Sequence, residues 1–271
     1  MRLRLSFRWV APFMVALAFA LYLPRIVGAD DLLPAALTAA RLDAVGSLAK
    51  LGSLVAGAFF GLRVAARLER GNAARFAWLL LGLWLACFAA GQAVLVTYTL
   101  VLRRVAPLPS VGDAAFLAGY ALVLVALSRF VVVYRATGFP VGSARQHLAV
   151  AAIAAVVFAA IAVPILAPIL DAEVPLGERM INVAYPILDL AALVPTLVML
   201  RITSAFRGGK VWAAWAALLF GFVLMTGGDI LFAYFSSAKM ASFAPGADLM
   251  FLLGYFFAAS GAKLQHEMLD A

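Results

Sequence analysis

The sequence predicts an all-α polytopic membrane protein: eight transmembrane helices arranged as two parallel four-helix repeats. Three observations predict it. The 271 residues are 66% hydrophobic and only 13% charged, with a mean hydropathy of +1.05, whereas a soluble domain is about 45–50% apolar and about 25% charged. The apolar residues come in unbroken runs of about twenty, the length that crosses a bilayer core of about 30 Å. Such runs exclude a soluble enzyme, a disordered chain and an outer-membrane barrel, whose strands alternate apolar and polar residues. Finally, the two halves of the chain resemble each other.

The first span, 9–27, follows Arg2, Arg4 and Arg8. Val27-Gly28-Ala29 looks like a signal-peptidase site, but the repeat gives this helix a partner, so it is read as retained. The second, 44–66, carries Lys50 and Gly57-x-x-x-Gly61, a spacing that permits close helix approach. The third, 76–101, holds Trp78, Cys87 and Gly91-Gln92 and stops before Pro107-Leu108-Pro109-Ser110. The fourth, 112–134, opens at Asp113 and ends before Gly138-Phe139-Pro140. The fifth, 147–169, starts at His147. The sixth, 181–202, contains Asp189 and Tyr185-Pro186; a proline inside a span frees a carbonyl and kinks the helix. The seventh, 211–236, follows Arg207-Gly208-Gly209-Lys210 and contains Trp215 and Gly227-Gly228-Asp229. The eighth, 247–265, opens at Asp248 after Pro245-Gly246-Ala247.

The repeat rests on Asp113-Ala-Ala-Phe-Leu-Ala-Gly-Tyr120 against Asp248-Leu-Met-Phe-Leu-Leu-Gly-Tyr255. Upstream, Trp78 matches Trp215, and Gly91-Gln92 matches Gly228-Asp229. Further back, Lys50 aligns with Asp189. The halves are therefore 1–137 and 138–271. An even number of helices per unit makes the repeat parallel, about an axis along the membrane normal. Basic residues concentrate in one set of connections, among them Arg63, Arg67, Arg70, Arg75, Arg207 and Lys210. The other set carries Asp30, Asp31, Asp171, Glu173 and Glu178. The positive-inside rule then places both termini in the cytoplasm, in a bacterial inner membrane. On this reading the formal charge of +8 sets topology, and no nucleic-acid partner is expected.

No cofactor or metal is expected. His147 and His266 sit at helix ends and leave no intramembrane histidine pair for haem. No lysine lies mid-span in the last helix, which argues against retinal. Cys87 is a packing residue inside an apolar run. The candidate chemistry lies elsewhere, because ionisable residues within spans cost about 2.5–3.5 kcal/mol each on insertion scales. Lys50, Asp189 and Asp229 are such residues. Lys50 and Asp189, opposite charges at equivalent positions, are expected to pair, either as a structural register device or as a pocket floor. Asp229 sits mid-helix and caps nothing; its equivalent is Gln92. Tyr185 shares a face with Asp189 at i, i+4. Lys50, Asp189, Asp229, Gln92 and Tyr185 are thus the expected ligand-binding set, in the outer half. Asp113 and Asp248 are expected as helix caps or pocket rim. Tyr120, Tyr255, Phe116 and Phe251 read as core packing. Trp9, Tyr98, Trp212 and Phe235 read as interfacial aromatics.

Pro109-Ser110-x-x-Asp113-x-x-Phe116-Leu117-x-Gly119-Tyr120, Tyr185-Pro186-x-x-Asp189-Leu190, Gly228-Asp229-Ile-Leu-Phe-Ala-Tyr234 and Asp248-x-x-Phe-Leu-x-Gly-Tyr255 resemble a bacterial eight-helix membrane sensory module. That module often stands N-terminal to cyclic-di-GMP or sensor-kinase domains. The resemblance implies sensing in or near the membrane. No output domain is expected after Gln265, so the expected function is a sensory or ligand-binding module. It would work through a partner at the basic cytoplasmic loops, among membrane lipids or as a homo-oligomer. No specific motif assigns an enzyme. The alternatives are an accessory subunit of a larger membrane complex and a lipid-acting enzyme. Gly228-Asp229 and Lys50 are faintly similar to the lysoplasmalogenase-type family, which cleaves an ether-lipid headgroup bond. The enzyme reading requires Asp189 and Asp229 to converge. A transporter is a further reading, but its site belongs near the midplane.

Overall fold

Long runs of Leu, Ala, Val and Phe in an apolar setting leave the backbone no hydrogen-bond partner but itself, and it closes into helix. The computed structural model describes residues 7–136, 143–171, 175–204, 207–237 and 244–270. Among them are eight α-helices and no strand. They are α1 (Phe7–Ile26), α2 (Ala39–Arg67), α3 (Ala73–Val96), α4 (Val111–Ala136), α5 (Ala144–Asp171), α6 (Leu176–Thr203), α7 (Lys210–Ser237) and α8 (Ala244–Leu269). Six of them, α2, α3, α4, α6, α7 and α8, are long and apolar enough to cross a membrane.

Capping residues set the starts. The Thr38 hydroxyl accepts from Arg41 N–H before α2, and the Asn72 side chain accepts from Ala74 N–H before α3. Each supplies an acceptor to a helix N–H that has no partner within the helix. At its far end α3 widens into a π-helical segment, Thr97–Val101, where the Thr97 and Thr99 hydroxyls donate to the carbonyls of Ala93 and Leu95. The Gly138-Phe139-Pro140 turn and the side chains of Trp9, His147 and Phe235 lie outside the described residues.

The central six helices follow one pattern of neighbours. α3 pairs with α4, and α7 with α8; α2 packs on α3 and α8, while α6 packs on α7 and α4. Glycines let these backbones close up. A Cβ on Gly61 would lie 2.9 Å from the Cα of Gly82, and one on Gly221 would lie 2.8 Å from the Gly254 carbonyl oxygen. The aligned positions make matching contacts. Gly91 faces the Phe116 ring as Gly228 faces the Phe251 ring, and Gly119 faces Phe88 as Gly254 faces Met225. The outlying helices do not match: α1 lies on α8, and α5 lies on α6 and α7.

Apolar burial gains little when the alternative is lipid, so close fit and dispersion must hold the helices together. Below the middle of the bundle the fit is aromatic. Trp84 stacks on Phe222 at 4.9 Å, and Trp78 lies 6.4 Å from its aligned partner Trp215. Phe130 packs edge-on to both Trp78 and Trp215, and the Trp215 indole N–H donates to the Tyr134 hydroxyl at 3.2 Å.

Candidate functional site: a polar cavity at one end of the bundle

The end at which α1 runs into α2 is not filled. A cavity of about 1040 Å³ opens there, bounded by α2, α3, α4, α6, α7 and α8 and by the α3–α4 connection. Lys50, Gln92, Tyr185 and Asp229 line it, as do Asp113 and Asp248. Asp189, only 1% exposed, stands behind that wall, against the residues that form it.

Lys50 does not pair with Asp189. Its Nζ lies 2.7 Å from Asp248 Oδ1. The reason is topological: α2 packs on α8, and the positions aligned across the repeat need not touch. This also changes the reading of Asp248, which serves as the counter-ion of a buried lysine rather than as a cap. Asp113 does cap its helix. Its Oδ2 accepts from the Ser110 N–H at 2.6 Å and the Ser110 hydroxyl at 2.9 Å, as the acid of a capping box does. Its other oxygen accepts from the Tyr185 hydroxyl at 2.6 Å, which ties α4 to α6 across the rim. A second rim ion pair joins Arg25 and Asp43 at 2.8 Å.

At the floor, Asp189 and Asp229 converge from α6 and α7. The Tyr120 hydroxyl of α4 donates to Asp189 Oδ1 at 2.5 Å and lies 3.4 Å from Asp229 Oδ2. The two carboxyl groups thus meet on one hydroxyl. No lysine, arginine or histidine among the described residues pairs with either, and Asp189 Oδ2 is buried without a hydrogen-bond partner. One hydroxyl proton is therefore shared by two acids. Among the described residues Gln92, 3% exposed, makes one long contact, from its amide nitrogen to the Ser47 carbonyl at 3.5 Å.

Six rings surround these groups. Phe88 is the hub, with its centroid 5.2 Å from Phe116, 5.3 Å from Tyr120 and 6.3 Å from Tyr255. Tyr185 lies 6.0 Å from Tyr120, and Phe251 lies 6.1 Å from Tyr255. Tyr120 and Tyr255 were expected only as packing residues. The recurrence of a tyrosine in both copies of the motif was the available signal, because a buried phenol needs a hydrogen-bond partner and a phenylalanine would pack as well.

The opposite end holds a smaller recess of about 640 Å³ lined by Arg70, Arg75 and Arg129 with Phe76 and Leu79. Arg75 donates to the Ala65 carbonyl, and Arg129 lies over the Phe76 ring. Among the described residues no group of three or more histidine, cysteine, aspartate or glutamate side chains is placed to hold a metal ion. The chain matches no protein-family model, no curated protein and no solved structure.

Proposed function

We propose that this protein is an integral membrane ligand-binding module of the sensory kind. Its eight helices cross a bacterial inner membrane as two four-helix repeats, with both termini cytoplasmic and the cavity open toward the outer leaflet. The observation that carries the reading is the cavity itself. Polar residues scattered along four different helices, Lys50, Gln92, Tyr185 and Asp229, meet in one space of about 1040 Å³. Concave sites with apolar walls and a few convergent polar groups are where small molecules bind. A ligand there would touch helices of both halves and would act by favouring one packing of them. The basic connections at the other end are the natural contact for a partner. The resemblance to the sensory module supports that use.

The test is extraction of the wild type and of Asp229→Asn into native nanodiscs, followed by mass spectrometry of the small molecules that travel with each. A compound enriched with the wild type and lost from the variant is expected. Identical profiles from the two proteins would overturn the reading.

A second reading, a membrane enzyme acting on a lipid, is favoured by one observation. Asp189 and Asp229 meet on the Tyr120 hydroxyl, as acid–base chemistry by two carboxyl groups would require. Its test is headgroup release from ether lysolipids. Release that disappears in Asp229→Asn would favour it over the sensory reading.

A further inference from the structure

We infer that the ligand of the cavity carries an organic ammonium group, held between Asp229 and the ring wall. The inference rests on the cavity being a binding site and names the class of molecule it takes.

Four observations lead there. Of the cations that line the cavity, Lys50 is held by Asp248 at 2.7 Å and Arg25 by Asp43 at 2.8 Å, while Arg103 and Arg104 are exposed on the α3–α4 connection, with Arg104 over the Tyr98 ring. Asp113 has two donors from Ser110 and one from Tyr185. What remains at the floor is a pair of acids with one shared donor and no cation among the described residues. Independently, Gln92 lines the same space. Its side-chain carbonyl accepts no hydrogen bond among the described residues, although the residue is 3% exposed. The floor thus holds two acids with no cation between them, which is the complement of an organic cation.

The walls select among cations. The rings of Phe88, Phe116, Tyr120, Tyr185, Phe251 and Tyr255 line the space, and aromatic walls attract organic cations. They offer nothing to a calcium or magnesium ion, which wants six or more oxygen ligands or its own water shell. A proton shared by the two acids would satisfy them without a ligand. It would leave unexplained the ring-lined space above them.

The experiment uses the full chain in nanodiscs and compares choline with 3,3-dimethylbutan-1-ol, its neutral isostere, and with 3,3-dimethylbutyrate, by calorimetry and thermal shift. Choline is expected to bind saturably and to raise the unfolding temperature, with the neutral isostere weaker by about tenfold. Asp229→Asn is expected to weaken choline by about tenfold or more. Phe251→Leu, which leaves the acids in place, is expected to weaken it by about threefold. Equal binding of choline and its isostere, no binding of choline, or full retention in Asp229→Asn would each overturn the ammonium assignment. Binding of the alcohol or the butyrate in its place would leave the cavity standing as a site and remove only this assignment. If no probe binds, the ammonium assignment falls, and the co-extracted molecules decide the site by themselves.

Discussion

Lys50 and Asp248 show how an ion pair distributes its cost. The lysine side chain is 9% exposed and the aspartate 37%. Removing the aspartate leaves a charge stranded in the bundle, whereas removing the lysine leaves an acid that water can reach. Asp248→Asn is therefore expected to cost about 2–3 kcal/mol, and Lys50→Met about 1 kcal/mol or less. Thermal unfolding of both variants in the same detergent measures the order, and a Lys50 variant that melts lower than the Asp248 variant would refute the argument. At this scale the sequence was informative about which residues gather. A charge or amide inside an apolar run has to be used, and all five candidates border one cavity or stand against its wall. It was silent about partners. Equivalence in a repeat relates Lys50 to Asp189 by an axis, and only the packing of α2 on α8 determines that the lysine reaches Asp248. Tyr120 was read as packing for the opposite reason: among phenylalanines only its recurrence as Tyr255 marks that its hydroxyl is used.

The helices themselves were largely legible, because the periodic signal of a membrane span is its length. The observed starts differ from the predicted ones chiefly where a cap extends the helix into polar sequence, as Thr38 does before α2. The glycines between helices carry a graded expectation. At Gly61 and Gly221 an added methyl would meet backbone at 2.9 and 2.8 Å, which cannot swing aside. Gly61→Ala and Gly221→Ala are each expected to destabilise by about 1–3 kcal/mol. Gly52 is exposed with nothing within 4 Å, so Gly52→Ala is expected to be neutral or stabilising by about 0.5–1 kcal/mol, as alanine is against glycine in a helix. Melting curves for the three variants check the ranking. Equal losses at all three positions would mean that helix propensity, not interhelical contact, governs them.

The molecule as a whole has two unlike ends. One carries the cavity and the ion pairs Lys50–Asp248 and Arg25–Asp43; the other carries Arg70, Arg75 and Arg129. If the basic end faces the cytoplasm, a Cys87→Ala background gives a clean assay of sidedness, since Cys87 is the only cysteine. A cysteine at Val105, 92% exposed beside the cavity, is expected to react with an impermeant maleimide on intact cells. A cysteine at Gly71, exposed at the other end, is expected to react only after permeabilisation. The reverse pattern would invert the topology. The neighbour relations of α1 and α5 were not legible, because two peripheral helices have few contacts within the bundle to constrain their sequences.

The aromatic layers beneath the acids have a consequence of their own. Under Phe88 and Tyr120 come the Trp84–Phe222 stack and then Trp78, Phe130 and Trp215, with Trp84, Phe130, Trp215 and Phe222 each less than 2% exposed. A solute that reaches the floor meets a stopper two storeys thick. In this arrangement the bundle has the form of a vessel closed at its base. On the proposed sensory reading, what passes to the far side is the strain in the walls and not the molecule that caused it.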